Sequence, residues 1–266
     1  MTRRLACVSV AAIAWMVAGC GLAPDGGGPL TGREALLVAA AADLRPAFER
    51  IGEIFTAETG HEVVFDFGSS GQIAQRIIEG APVDVYASAN VDFVDAVLDA
   101  GRGDRATKAT YAFGRITIWS RADRWSGWDT IEELVADPAV RFVGIANPAH
   151  APYGAAARQA FESKGLWETV EPRLVYGENI SDTQRLADTG DADAAIVALS
   201  LAIAAGERGG WALLDDGLHQ PLEQALVVIT DDERRVAAAR AFVQLVNAPS
   251  GREVMIEFGF ALPGEG

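Results

Sequence analysis

The stretch Val63–Ile78, VVFDFGSSGQIAQRII, decides how the chain is read. Apolar and polar residues alternate from Val63 to Phe67, which is the period of a strand. Gly68-Ser69-Ser70-Gly71 breaks that pattern, and from Gln72 to Glu79 the apolar positions recur at helical spacing. A strand that turns through small residues straight into a helix is one half of a βαβ unit.

The same grammar runs outward in both directions. ALLVAAA (35–41) leads into a helix from about Leu44 to Glu58. VDVYAS (83–88) precedes NVDFVDAVLDAG, and YAFGRITIWS (111–120) follows a loop. Then come DTIEELVAD, RFVGIAN (141–147), a helix near Ala155–Lys164, RLVY (173–176), a helix from Ser181 and DAAIVAL (193–199). EQALVVIT (223–230) and helices near 232–246 and 249–258 close the chain. Nearly continuous apolar strands separated by helices describe an α/β fold of mainly parallel sheets covered on both faces. Asp43, Ser70, Asn90 and Asp129 precede helical runs as N-caps, and Ser181-Asp182-Thr183-Gln184 has the form of a capping box.

The first twenty residues stand apart. Arg3 and Arg4 precede an apolar run from Leu5 to Val17, followed by Val17-Ala18-Gly19-Cys20. That is an export signal, too short in its apolar part to span a membrane. Its end resembles the lipobox of bacterial lipoproteins, so Cys20 is the expected lipidated N-terminus and the protein is expected outside the cytoplasm. Cys7 leaves with the signal, and the exported chain has no disulfide. Residues 21–32, rich in Gly and Pro, read as a flexible tether.

Composition excludes several classes. The net charge is −15, and no Lys/Arg cluster interleaves with aromatics, so no nucleic-acid partner is expected. His61, His150 and His219 lie at no metal-ligand spacing, and no bare metal or cofactor is expected. Gly101–Ala106 matches a relaxed dinucleotide fingerprint but follows a helix instead of opening one. Gly68–Gln72 misses the G-x-S-x-G nucleophile elbow by one residue, because Gln72 stands for the last glycine. A serine hydrolase would have to recruit His219 and has no evident acid.

Five segments together resemble the molybdate-binding solute receptors of bacterial ABC importers. They are VAAAADLRPAFERIGEIFTAETG, FDFGSSGQIAQRIIEGAPVDVYASAN, IANPAHAPYGAAARQAFESKGLWE, LVYGENISDTQRLADTGDADAAIVALS and FGFALP. The resemblance covers Leu36 to Pro263 and implies a two-lobed, type II periplasmic-binding-protein fold. Lobe one would hold 33–112 plus 226–266 and lobe two 113–225, with the ligand between them. It implies a monomer that hands molybdate, and tungstate, to a membrane permease. Its oxyanion contacts map to Ala42 and Asp43, Ser70, the backbone at Tyr153 and the backbone at Ile180. Two positions depart from the family. Asp43 stands where many relatives have serine, and Ala198 where some have tyrosine.

The loops themselves suit an anion. Four end in helix N-termini, where N–H groups lack intrahelical partners and the dipole favours negative charge. Half a dozen charge-assisted hydrogen bonds supply roughly 9–18 kcal/mol gross, against about 8 for micromolar binding. Asp43 is expected to cap the helix from Leu44 while its N–H faces the ligand. In the alternative its carboxylate accepts a hydrogen bond from a protonated oxyanion. Other readings are a receptor of this fold for sulfate, phosphate or an organic anion, the hydrolase, and a sensory or adhesive module.

Overall fold

The computed structural model describes residues 35–264. The expected signal, tether and Cys20 lie outside the described residues. Within 35–264 two five-stranded sheets are each flanked by helices.

The chain enters as β1 (Leu36–Ala41), turns through a short 3-10 segment at Ala42–Leu44 and runs into α1 (Arg45–Thr59). The stretch Val63–Ile78 is β2 (Val63–Gly68) followed by α2 (Ser70–Ile78). Next come β3 (Val85–Ser88), α3 (Val91–Asp99) and β4 (Ala109–Gly114). After one residue, Arg115, β5 (Ile116–Arg121) begins in the other sheet. The second sheet adds α4 (Ile131–Ala136), β6 (Val143–Ala146), α5 (Pro152–Ser163), the short α6 (Trp167–Val170) and β7 (Leu174–Gly177). It continues through α7 (Ile180–Thr189), β8 (Ala194–Ala198), α8 (Leu199–Ala205) and β9 (Gly209–Leu213). The chain then returns as β10 (Leu222–Val228) and ends in α9 (Val236–Asn247) and α10 (Pro249–Glu257).

The strand orders are β2-β1-β3-β10-β4 and β7-β6-β8-β5-β9. In the first, β2, β1 and β3 are parallel and β10 runs antiparallel between β3 and β4. In the second, β7, β6 and β8 are parallel, and β5 runs antiparallel to both β8 and β9. The mainly parallel α/β reading therefore holds, with one reversed strand inserted in each sheet. YAFGRITIWS is not one strand. It divides at Arg115, because its halves pair with different sheets. The crossings between sheets fall at Arg115 and across residues 214–221.

Burial explains why these runs sit where they do. Every residue of β3, β6 and β8 is buried, as strands covered on both faces require. Phe48 and Phe55 of α1 meet Phe242 of α9 edge-on, closing the first sheet's helical face.

Several expected caps move. Asn90 does cap α3, accepting from the Asp92 N–H at 2.7 Å. Thr130, not Asp129, caps α4, and Glu133 returns to the Asp129 N–H to complete the box. Asn179, two residues before the expected box at Ser181, caps α7. Ser70 is the first helical residue of α2 and makes no cap bond. An Asn side chain reaches the N–H groups two and three residues ahead, so it takes this position from a serine further along.

Candidate functional site

The C-terminal ends of β1, β2, β6 and β7 converge between the two sheets, where ligands of open α/β sheets bind. The walls of the hollow there are Ala41-Ala42-Asp43, Gly68-Ser69-Ser70, Ala89, Ala151-Pro152-Tyr153 and Asn179-Ile180. Ala42, Asp43, Ser70, Tyr153 and Ile180, read from the sequence as a set, all line it. About 10 Å³ of it can take the centre of a water molecule. Pockets for drug-sized ligands run from about 300 to 1,000 Å³, so a hollow this narrow suits only a small solute. Among the described residues no Lys, Arg or His lines the hollow. A larger space of about 550 Å³ lies at a different part of the first sheet. Its arginines are engaged, Arg235 to Asp84 at 2.6 Å and Arg240 to Asp104 at 2.7 Å within the same walls, and Arg102 to the Ile78 carbonyl at 3.4 Å.

Local capping decides which backbone donors face inward. Ser70 and Ile180 open α2 and α7, and Tyr153 is the second residue of α5. Their N–H groups have no partner one turn back within the helix. Asn179 takes the N–H groups of Ser181 and Asp182, each at 3.0 Å, and so bypasses that of Ile180. The N–H of Gly71 is held by the His150 carbonyl at 2.9 Å. Ser70 is pinned on two sides: its Oγ accepts from the Ala89 N–H at 3.1 Å, and Tyr86 donates to its carbonyl at 2.8 Å. A hydroxyl that already accepts keeps its own proton for donation.

Asp43 departs from its expected role. Neither the 3-10 turn nor α1 receives a side-chain cap, so the carboxylate does not cap the helix. Its Oδ2 instead accepts from the Tyr153 phenol at 2.9 Å and from Gln224 Nε2 at 2.8 Å. Gln224 in turn accepts from the Tyr111 phenol at 2.9 Å. Asp43 is wholly buried, and among the described residues its Oδ1 has no hydrogen-bond partner. Burial pushes this carboxyl up to about 6, and the bonds from Gln224, Tyr153 and its own backbone pull it only part of the way back. Burial and the adjacent Asp43 carboxylate push the Tyr153 phenol well above its ordinary value, so it stays a donor.

Tyr153 thus acts through its ring as well as its position, where the sequence suggested the backbone alone. Gln224, Tyr111 and Ser200 were not read as site residues. Gln224 gave a signal: an amide inside the apolar run of β10 must find partners when buried. A register shift between Gln224 and Ala225 marks a bulge, a device that re-aims side chains.

The same turn stitches the lobes. Ser200 donates to the Asp43 carbonyl at 2.7 Å and Ser181 to the Ala42 carbonyl at 3.1 Å. Ser69 donates to the His150 carbonyl at 2.6 Å and sits 2.8 Å from Nδ1 of the same residue. His219 contacts the Gln220 carbonyl and borders another part of the surface, with Gln159 and Ser163. The serine and histidine that a hydrolase would need are therefore not brought together at Ser70.

The fold and the hollow define a two-lobed solute-binding protein. Comparisons with known proteins agree. A family model described as bacterial extracellular solute-binding protein matches residues 36–261. The molybdate-binding protein ModA of Rhodobacter capsulatus is 36% identical over 227 residues, covering 85% of this chain and 87% of that protein. ModA of Azotobacter vinelandii is 32% identical over 228 residues, covering 85% and 89%. The solved periplasmic molybdate-binding protein of Azotobacter vinelandii superposes with a TM-score of 0.78 at 28% identity, covering 86% of this chain and 99% of that one. The chain belongs to the family of bacterial extracellular solute-binding proteins. Family and fold set its work outside the cytoplasm and make it a binder rather than an enzyme.

Proposed function

We propose that this protein captures molybdate outside the cytoplasm and delivers it to a membrane-embedded ABC permease, taking tungstate as well. The observation that carries the reading is the convergence of the helix-opening residues Ser70, Tyr153 and Ile180, from both sheets, on one hollow whose walls hold no cation among the described residues. Relatives whose names give molybdate as their ligand support the choice of ion. Ala42 and Asp43, Ser70, Tyr153 and Ile180 hold the oxyanion through N–H and O–H groups. Neutral donors suit this task, since in a dry cleft each charge-assisted bond nets about 1.5–3 kcal/mol. The acidic surface hardly opposes capture, because salt screens it beyond about 8 Å.

The lobe built on the first sheet and the lobe built on the second swing about the strand crossings at Arg115 and residues 214–221, a few residues inside the 113–225 bounds read from the sequence, in a hinge motion of the kind such proteins use. Cys20 carries lipid that tethers a monomeric receptor to the membrane through the 21–32 linker. Titration calorimetry with molybdate, tungstate, sulfate and phosphate tests the reading. Tight binding of the first two with sulfate and phosphate at least a hundredfold weaker is the expected result. A preference for sulfate or phosphate would replace molybdate as the solute, and binding of none would remove the reading.

A further inference from the structure

The feature that an oxyanion site should least tolerate is a carboxylate, and one stands in its wall. Asp43 is wholly buried and borders the hollow, and its two oxygens are unequal. Oδ2 accepts from both Tyr153 and Gln224, whereas Oδ1 has no partner. With Oδ2 anchored twice and the backbone carbonyl of Asp43 held by Ser200, the side chain cannot swing out of the site. The other walls are suited to donating: the N–H groups of Ser70, Tyr153 and Ile180 at the starts of α2, α5 and α7 and the Ser70 hydroxyl. Deprotonated, Asp43 would offer the entering dianion only repulsion.

We propose that Asp43 is a specificity-determining residue that takes up one proton from solvent as the oxyanion enters and donates it, through Oδ1, in a hydrogen bond to an oxygen of the ion. This rests on the reading of the hollow as an oxyanion site. The balance is simple: one carboxylate, one proton and one dianion give a neutral carboxyl bonded to the dianion, with no covalent change to the ion. Oδ1 becomes one more donor in a shell of donors, and the acid keeps its two bonds at Oδ2.

The neighbours permit this. Tyr153 reaches Asp43 from α5, Gln224 from β10 and Ser200 from α8, and Tyr111 of β4 stands behind Gln224. None of these is a cation that would hold the carboxylate ionised. The nearby His150 faces Ser69 and not Asp43. Burial already raises Asp43 to about 6, and a neighbouring dianion moves it further in the same direction. At neutral pH the group is therefore mostly ionised alone and protonated in the complex.

Calorimetry of molybdate with the whole protein at pH 7.5, in two buffers of different ionisation enthalpy, counts the protons taken up. Close to one proton per ion is expected, and the affinity should fall by roughly tenfold per pH unit between pH 6.5 and 8, as one-proton linkage requires. Asp43→Asn should bind without uptake and with a flat pH profile, whereas His150→Gln should keep both. Intact binding with no uptake in the wild type would overturn the proposal and leave the receptor reading standing. So would uptake that survives Asp43→Asn and disappears in His150→Gln. If the wild type binds none of the four anions, the receptor reading fails, and this inference fails with it.

Discussion

Tyr153 and Asp43 meet across the two halves of the fold: the phenol from α5 donates at 2.9 Å to a carboxylate that stands just past β1. The bond ties a helix of the second sheet to a turn of the first, and Gln224 supports it from β10 by reaching both partners. Tyr153→Phe keeps the ring and removes the donor. A buried acceptor that loses a partner costs about 1–3 kcal/mol. Urea denaturation at pH 7.5 should record a loss of that size, shrinking at pH 5, where Asp43 is protonated and needs the donor less.

Asp43→Asn should act in the opposite sense on the unliganded protein. Burial raises the Asp43 carboxyl to about 6 in the folded state, above its value in an unfolded chain. The folded protein therefore binds more protons than the unfolded one between about pH 4 and 6, and this group's contribution to stability falls as pH rises through that window. Above pH 6 the buried charge persists as a penalty of up to about 3 kcal/mol. Asparagine carries no charge to bury. The variant should be more stable than wild type at pH 8 by about 2–3 kcal/mol, and the two denaturation curves should approach each other near pH 4.

How far the sequence revealed this site depends on the kind of contact. Gly68-Ser69-Ser70-Gly71 between an alternating run and a helical one placed β2 and α2 to within about two residues, because period and small-residue turns are local signals. The break at Arg115 was less visible, since β4 and β5 are both apolar and only their pairing separates them. The gathering of Ala42, Asp43, Ser70, Tyr153 and Ile180 at one hollow followed from resemblance. What was hidden is where Asp43 points. A side chain before a helix reads as a cap from sequence alone, and only the approach of Tyr153 and Gln224, 110 and 181 residues away, redirects it.

Ser70→Ala probes the donor set. The hydroxyl accepts from Ala89 and keeps a proton for the ion, so its removal takes away one charge-assisted bond of about 1.5–3 kcal/mol. Molybdate affinity should fall roughly 10- to 150-fold. Because the Ala89 N–H also loses its acceptor, a stability loss of about 1 kcal/mol should accompany it, and thermal denaturation separates that from the binding effect. Unchanged affinity would remove Ser70 from the site.

Cys20→Ser addresses the anchor. With the thiol gone no lipid can be attached, and a chain that lacks acyl groups should partition to the soluble fraction after cell lysis. Continued recovery with membranes would refute lipidation at this residue. The variant should bind molybdate as wild type does, since residue 20 lies far in sequence from every wall of the hollow.

Gly71→Ala tests closure itself. A Cβ at Gly71 would stand 2.8 Å from the His150 carbonyl oxygen, closer than such a carbon is found, and 3.0 Å from the Phe93 ring, a tight contact. Gly71 lies in the first turn of α2, and His150 precedes α5 beside the other sheet, so the clash falls where the lobes meet. Helix α2 gains little from the methyl by comparison, because alanine exceeds glycine by only about 1 kcal/mol in a helix interior. The added carbon should hold the lobes apart and break the Gly71 to His150 bond without touching a donor to the ion. Faster dissociation of molybdate is therefore expected, with an association rate close to wild type, since affinity changes at one interface reside mostly in the off-rate. Stopped-flow mixing distinguishes this from a slower association, which would mean that Gly71 shapes the open site instead of the closed one.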